Sequence, residues 1–275
     1  MKLRPLSKEG ESQFANALEK SSPLPPDLKL LATLRYDTNL KHLTRRVPIA
    51  MEDSDEDTFF LSKIHHKKLK YNARLLGWDI NVSHTQMVNK MLEAVQTAST
   101  QGEHSALKIR LTVDRFGAMD ATASPVLERD NLFSGLSTQS QELKDSTDPV
   151  FEVYVDKERF KPAVVNMIKT TDRSMYNTLR ERNGVFVNSS KEVLLIGTDN
   201  DILEGSITNV AFLRGKEWVT PKLDNGGMVG AVRSFLLELG YIKEGVIKAD
   251  TLVDGEYVLL FNGVQGVCAG KICLK

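Results

Sequence analysis

LLIGTDNDILEGSITNVAFLRGKEWVTP, running from Leu194 to Pro221, sets the reading of the chain around it. The pattern predicts a strand over Val193 to Ile196, an Asp/Asn/Gly turn and a second extended run from Glu204 to Leu213. A charged glycine turn at Arg214 to Glu217 and a short strand closed by Pro221 follow. Glu204 is a carboxylate in the middle of this hairpin, in otherwise neutral surroundings. The run EGSITN supplies that carboxylate, a glycine that permits close backbone approach, two hydroxyls and an amide, a set suited to a polar heteroaromatic ligand. Taken alone, the stretch reads more simply as a surface hairpin with one solvated glutamate.

Working outward, 275 residues with 41% hydrophobic content allow about two domains and an ample core. Thirty-six basic and 36 acidic residues cancel, which points away from nucleic acid and membrane surfaces and towards a small-molecule partner. Cys268 and Cys273 are too few for a disulfide framework or a zinc site and fit a reducing compartment. Lys2 and Arg4 are not followed by an apolar run, so no secretory signal is expected and the cytoplasm is the expected location.

In the first half, a helix capped by Ser7 is expected to run to Lys20, ended by SSPLPP, followed by a strand over Leu28 to Arg35. Thr33 and Arg35 lie two apart and share a face of it; a core strand with Arg35 solvated at its edge is the alternative. Asn39 to Asp57, with basic residues and then EDSDED, reads as a loop. A helix over Phe59 to Leu76 has apolar positions Leu61, Ile64, Tyr71 and Leu75, and Lys68 interrupts that stripe. Further elements are a helix over Thr85 to Ala98 and a hairpin of Lys108 to Val113 with Ala121 to Val126. The polar stretch 131–148 reads as a linker between a small domain, 1–130, and a larger one, 149–275.

In the second half, a strand opens at Phe151 and a buried strand over Ala163 to Ile168 ends at Lys169. A helix capped by Thr171 or Asp172 and ended by Asn183-Gly184 follows. A lysine where a buried strand turns into a helix is placed to lose part of its hydration, which lowers its pKa and keeps a fraction neutral and nucleophilic. Asp224 to Gly227 feeds a helix through Val229, Val232, Phe235, Leu236 and Leu239, and a glycine loop entering a helix is a ready anion site. A strand over Tyr257 to Phe261 and a turn at Asn262-Gly263 close the pattern.

Several of these pieces match one family in order: ATLRYD at 32–37, KLKYNARLLGW at 68–78, IKTTDRSMY at 168–176, EGSITNVAF at 204–212, GAVR at 230–233 and LFNGVQGV at 260–267. They resemble the fold-type IV pyridoxal-phosphate enzymes, the group of branched-chain and D-amino-acid aminotransferases and aminodeoxychorismate lyase, and most closely the fungal lyases. The resemblance implies an α/β (α+β) fold of two domains, the larger with a barrel-like sheet, and a homodimer. It implies pyridoxal 5'-phosphate held on Lys169, which is also the catalytic base, with Glu204 at the pyridine nitrogen. Ile207, Thr208 and the N-H groups of Ala231 and Val232 would surround the cofactor. Lys68 stands where the family has a phosphate-binding arginine and loses its bidentate fork; Lys67 or Lys70 could serve instead. Gly263 replaces a hydroxyl residue and leaves only a backbone N-H. Thr33, Arg35, Arg173 and Asn262 are the substrate-side candidates. Ser174 occupies the place of the branched-chain transaminases' tyrosine, which argues against that activity and leaves Tyr176 either at the cofactor or merely packing its helix. The activity implied is conversion of 4-amino-4-deoxychorismate to 4-aminobenzoate and pyruvate. The alternatives are an aminotransferase on the same scaffold, or a non-catalytic binding protein, which Lys68 and Gly263 would favour.

Overall fold

Leu107, Ile109, Leu111 and Val113 are all buried, and their period of two makes one face of β2 (Ala106–Val113) part of a core. β2 lies between β1 (Leu30–Asp37) and β3 (Met119–Pro125) in a three-stranded antiparallel sheet. The computed structural model describes residues 2–45, 47, 58–100, 102–136, 149–161, 167–186, 189–224 and 226–274. Before β1 comes α1 (Lys8–Glu19), which Ser7 caps by accepting the Gly10 N-H. After β1 a short helix, α2 (Leu40–Leu43), occupies part of the expected 39–57 loop, because Leu40 and Leu43 join a core cluster; 46 and 48–57 lie outside the described residues.

Helix α3 (Ser62–Leu75) packs on β1, and α4 (His84–Ser99) covers β2 and β3. The start of α4 is fixed by a reciprocal capping box: Ser83 accepts from the Gln86 N-H while Gln86 accepts from the Ser83 N-H. Met87, Val88, Met91, Ala94, Val95 and Ala98 then bury one stripe. Among the described residues no helix is long and apolar enough to cross a membrane.

The second half builds β4 (Phe151–Phe160), α5 (Ser174–Arg182), β5 (Lys191–Gly197), β6 (Ile202–Gly205), β7 (Asn209–Arg214), β8 (Glu217–Pro221), α6 (Ala231–Glu238), β9 (Lys243–Gly245), β10 (Tyr257–Asn262) and β11 (Gly266–Cys273). Its eight strands pair in the order β6-β5-β4-β11-β10-β7-β8-β9. Strand β4 is parallel to both β5 and β11. The sheet curls: β6 and β7 are far apart in strand order, yet the Gly205 N-H donates to the Thr208 carbonyl at 2.9 Å across the turn between them. Phe151, Val153, Leu194, Val210, Phe212, Val258 and Leu260 fill one face of this half-barrel.

Two further expectations change, and two others fall largely outside the described residues. The single run from Glu204 to Leu213 is broken into β6 and β7 at Ser206 to Thr208, because the buried Glu192 carboxylate captures that turn's donors. The expected strand over Ala163 to Ile168 falls largely outside the described residues, as does most of the 131–148 linker. Helix α5 begins at Ser174, with Arg173 at the cap position one or two residues later than expected, and Asp172 receives the Ser174 N-H and hydroxyl from outside it.

The two halves are stitched along β1. The Leu31 N-H donates to the Lys169 carbonyl at 2.9 Å, Thr171 N-H to the Lys29 carbonyl at 2.9 Å, and Arg35 N-H to the Gly263 carbonyl at 2.8 Å. Met167, Ile168, Leu223 and Val229 share a core cluster with Leu30, Leu34 and Ile109.

Candidate active site

Where β1, α3, the β6–β7 turn, the start of α6 and the β10–β11 turn meet, they line a cleft that opens to solvent. Each element contributes because of its local pattern. Lys68 lies on the buried stripe of α3 and is itself buried, whereas Lys67 and Lys70 point to solvent, so Lys68 is the lysine of that helix in the cleft. Lys169 enters where β1 pins the backbone on either side. Ala231 and Val232 present the first turn of α6, whose N-cap, Gly230, offers no side-chain cap. A Cβ at Gly230 would lie 1.8 Å from Asn209 Oδ1, so only glycine lets that helix end approach β7.

Glu204 is buried and fully engaged. It accepts the Tyr176 hydroxyl at 2.6 Å on Oε1, and the Asn209 amide at 3.3 Å and the Met228 N-H at 3.2 Å on Oε2. Tyr176 is therefore part of the site, and Arg173 stacks its guanidinium 3.7 Å from the Tyr176 ring centre while donating to the Ser206 carbonyl at 2.8 Å. Behind the turn, Glu192 accepts from the N-H groups of Val193, Ser206 and Ile207 and from the hydroxyls of Ser206 and Thr208.

Burial controls the charges. It holds the Lys169 amine well below the usual lysine range, helped by the positive charges of Lys68 and Arg173 and opposed by Glu204. Lys68 is lowered to about 8, again by burial first. Burial raises Glu204 above the usual carboxylate value, against its hydrogen bond from Tyr176 and the charge of Arg173. Desolvation, with Lys68 and Lys169 nearby, drops His65 to about 3, so its ring is neutral at neutral pH.

Of the expected site residues, Thr33, Lys68, Lys169, Arg173, Glu204, Ile207, Thr208, Ala231, Val232, Asn262 and Gly263 all line the cleft. Arg35 does not. Its guanidinium turns onto the Asp37 carboxylate at 2.7 Å and the Leu127 carbonyl at 3.0 Å, buried away from the cleft and not solvated. Two others are present with their polar groups engaged elsewhere: the Thr208 hydroxyl donates to Glu192, and the Asn262 amide folds onto the Val264 N-H, the Gln265 N-H and the Gln265 side chain. His65 was not anticipated, and Asn209 was anticipated only as the amide of EGSITN facing a ligand, not as a partner of Glu204. His65 lies three residues before Lys68 on the same helical face, a spacing that could have found it; the partners of Asn209, 5 and 19 residues away, carry no such signal.

Residues 51–271 match the family described as Amino-transferase class IV. The chain belongs to this family. It is 30% identical over 219 residues to a Schizosaccharomyces pombe protein provisionally named aminodeoxychorismate lyase, covering 78% of this chain and 85% of that protein. Against the aminodeoxychorismate lyase of Saccharomyces cerevisiae identity is 32% over 200 residues, 63% of this class IV chain and 53% of the relative. Among solved structures, an α-ketoglutarate- and PMP-bound hypothetical aminotransferase from Mycobacterium tuberculosis shares the fold. Its TM-score is 0.63 at 15% identity, covering 92% of this chain and 86% of that one.

Proposed function

We propose that this chain is a pyridoxal-phosphate-dependent lyase that converts 4-amino-4-deoxychorismate to 4-aminobenzoate and pyruvate. The observation that carries the reading is a buried lysine with a depressed pKa, Lys169, sharing one cleft with a buried, triply hydrogen-bonded carboxylate, Glu204. The two yeast relatives bear the lyase name over most of the matched chain.

The residues fit the cofactor. Among the described lining residues, Lys68 and Arg173 outnumber the one carboxylate even with Lys169 neutral, and that surplus of positive charge suits a phosphate dianion. The uncapped first turn of α6 adds backbone donors. Glu204 would hold the proton of the ring nitrogen, and Tyr176 would keep that carboxylate oriented. When bound, pyridoxal phosphate supplies an electron sink beside the carbon that bears the substrate amine. Lys169, neutral because it is buried, accepts the proton from that carbon. The electrons of the broken C-H bond complete the aromatic ring as the C-O bond to the enolpyruvyl group breaks, and enolpyruvate becomes pyruvate. Arg173 and Lys68 bind and orient oxyanions during this step.

Incubation of the protein with pyridoxal phosphate and 4-amino-4-deoxychorismate, with no keto acid added, is expected to release equal amounts of 4-aminobenzoate and pyruvate. Lys169→Ala should lower the rate at least ~1,000-fold, the range of a lost proton-transfer group with positioning. Product that appears only when an amino-acid and keto-acid pair is supplied would make the chain an aminotransferase instead.

A further inference from the structure

We infer that His65 is a hydrogen-bond donor to the oxyanion that Lys68 neutralises, an assignment that rests on the ligand class proposed above. Among the described residues, His65 Nε2 is a buried side-chain nitrogen with no hydrogen-bond partner, and the ring lines the cleft with 5% of its surface exposed. A buried polar atom without a partner in a native protein calls for a ligand or water to complete it. Three residues apart on α3, His65 and Lys68 share a face, so a group held by one lies beside the other.

Gly263 makes room for this ring. A Cβ at 263 would lie 2.7 Å from His65 Nε2 and 2.9 Å from its Cε1, and also 2.7 Å from the Thr33 carbonyl oxygen. A side chain at 263 would have to displace both the imidazole and the Thr33 carbonyl, so the ring packs against the bare Gly263 backbone. The ring is neutral, so with its proton on Nε2 it donates to an anion without adding a further charge beside Lys68. A lysine offers a point charge without a fixed direction; a second, rigid donor beside it supplies the direction.

The oxyanion has two sources, the cofactor's phosphate and the substrate's carboxylate. Titration calorimetry of wild type, His65→Phe and His65→Gln with pyridoxamine phosphate, pyridoxamine and 4-aminobenzoate separates them. His65→Phe should weaken pyridoxamine phosphate at least tenfold and leave pyridoxamine unchanged, while His65→Gln, which keeps a donor, stays near wild type. Weakened 4-aminobenzoate with unchanged pyridoxamine phosphate would support the same donor acting on the carboxylate. If His65→Phe binds all three like wild type, the inference is overturned. Should that variant not fold, the wild-type protein labelled with 15N-histidine decides: the His65 Nε2-H signal must shift when pyridoxamine phosphate is added. If wild type binds no pyridoxamine phosphate, the proposed function fails on its own, and the shift with inorganic phosphate still tests His65.

Discussion

A buried side chain keeps whichever protonation state costs least to bury, and in this cleft that sets both function and pH response. Native His65 titrates near 3 and an unfolded histidine near 6.5. Between those values the unfolded chain takes up a proton that the native chain refuses, so stability is lost as pH falls through this window, by up to ~1.4 kcal/mol per pH unit. Lys68 has the same sign higher up: depressed to about 8 from 10.5, it makes the ligand-free protein gain stability as pH rises from 8 to 10.5. The expected outcome in urea titrations is an acid limb between pH 6.5 and 3 that is shallower in His65→Gln than in wild type, with the limb above pH 8 unchanged. At this scale the sequence was readable where a residue's role follows from its neighbours along the chain. Lys68 shows as a cation on an apolar stripe and Lys169 as a lysine at an element boundary. Arg35 was misplaced although the same alternation puts Asp37, two residues on, on its face: the face was taken and the ion pair that draws the guanidinium away from the cleft was overlooked.

At the scale of elements, the turn from Ser206 to Thr208 depends on Glu192, from the neighbouring strand β5. One buried carboxylate satisfies three backbone N-H groups and two hydroxyls, and a Cβ at Gly205 would lie 2.8 Å from it. Glu192→Gln replaces one acceptor oxygen by a donor facing donors. It is expected to cost about 2–4 kcal/mol in denaturant unfolding, and to weaken pyridoxal phosphate binding as the turn loosens; an unchanged midpoint would show that the turn holds itself. Periodicity made most of the helices and the 106–125 hairpin legible, since a repeat of 3.6 or 2 is written in the local sequence. The break between β6 and β7 was not, because its cause lies 14 residues upstream. The Ser83–Gln86 box was legible and would have moved the start of α4 back from Thr85.

For the whole molecule, the strand that carries Thr33 also holds the backbone around Lys169 and Gly263. The core that surrounds it draws on residues from both halves of the chain. The halves 2–136 and 149–275, expressed separately, are therefore each expected to lack a cooperative thermal transition and to regain one when mixed. A cooperative transition in either half alone would show that β1 is not needed to complete its core. Family motifs signalled the general architecture, while this mutual dependence was hidden, since hydrogen bonds between Lys29–Arg35 and 169–263 leave no trace in any local window.

The turn at Ser206 to Thr208 is also the seam where the curled sheet returns on itself. Its length is consequently a fixed dimension of the cleft: adding a residue is expected to part β6 from β7 and pull Glu204 out of reach of Asn209 and Met228. Side chains can be exchanged at this seam while the number of residues that cross it stays fixed.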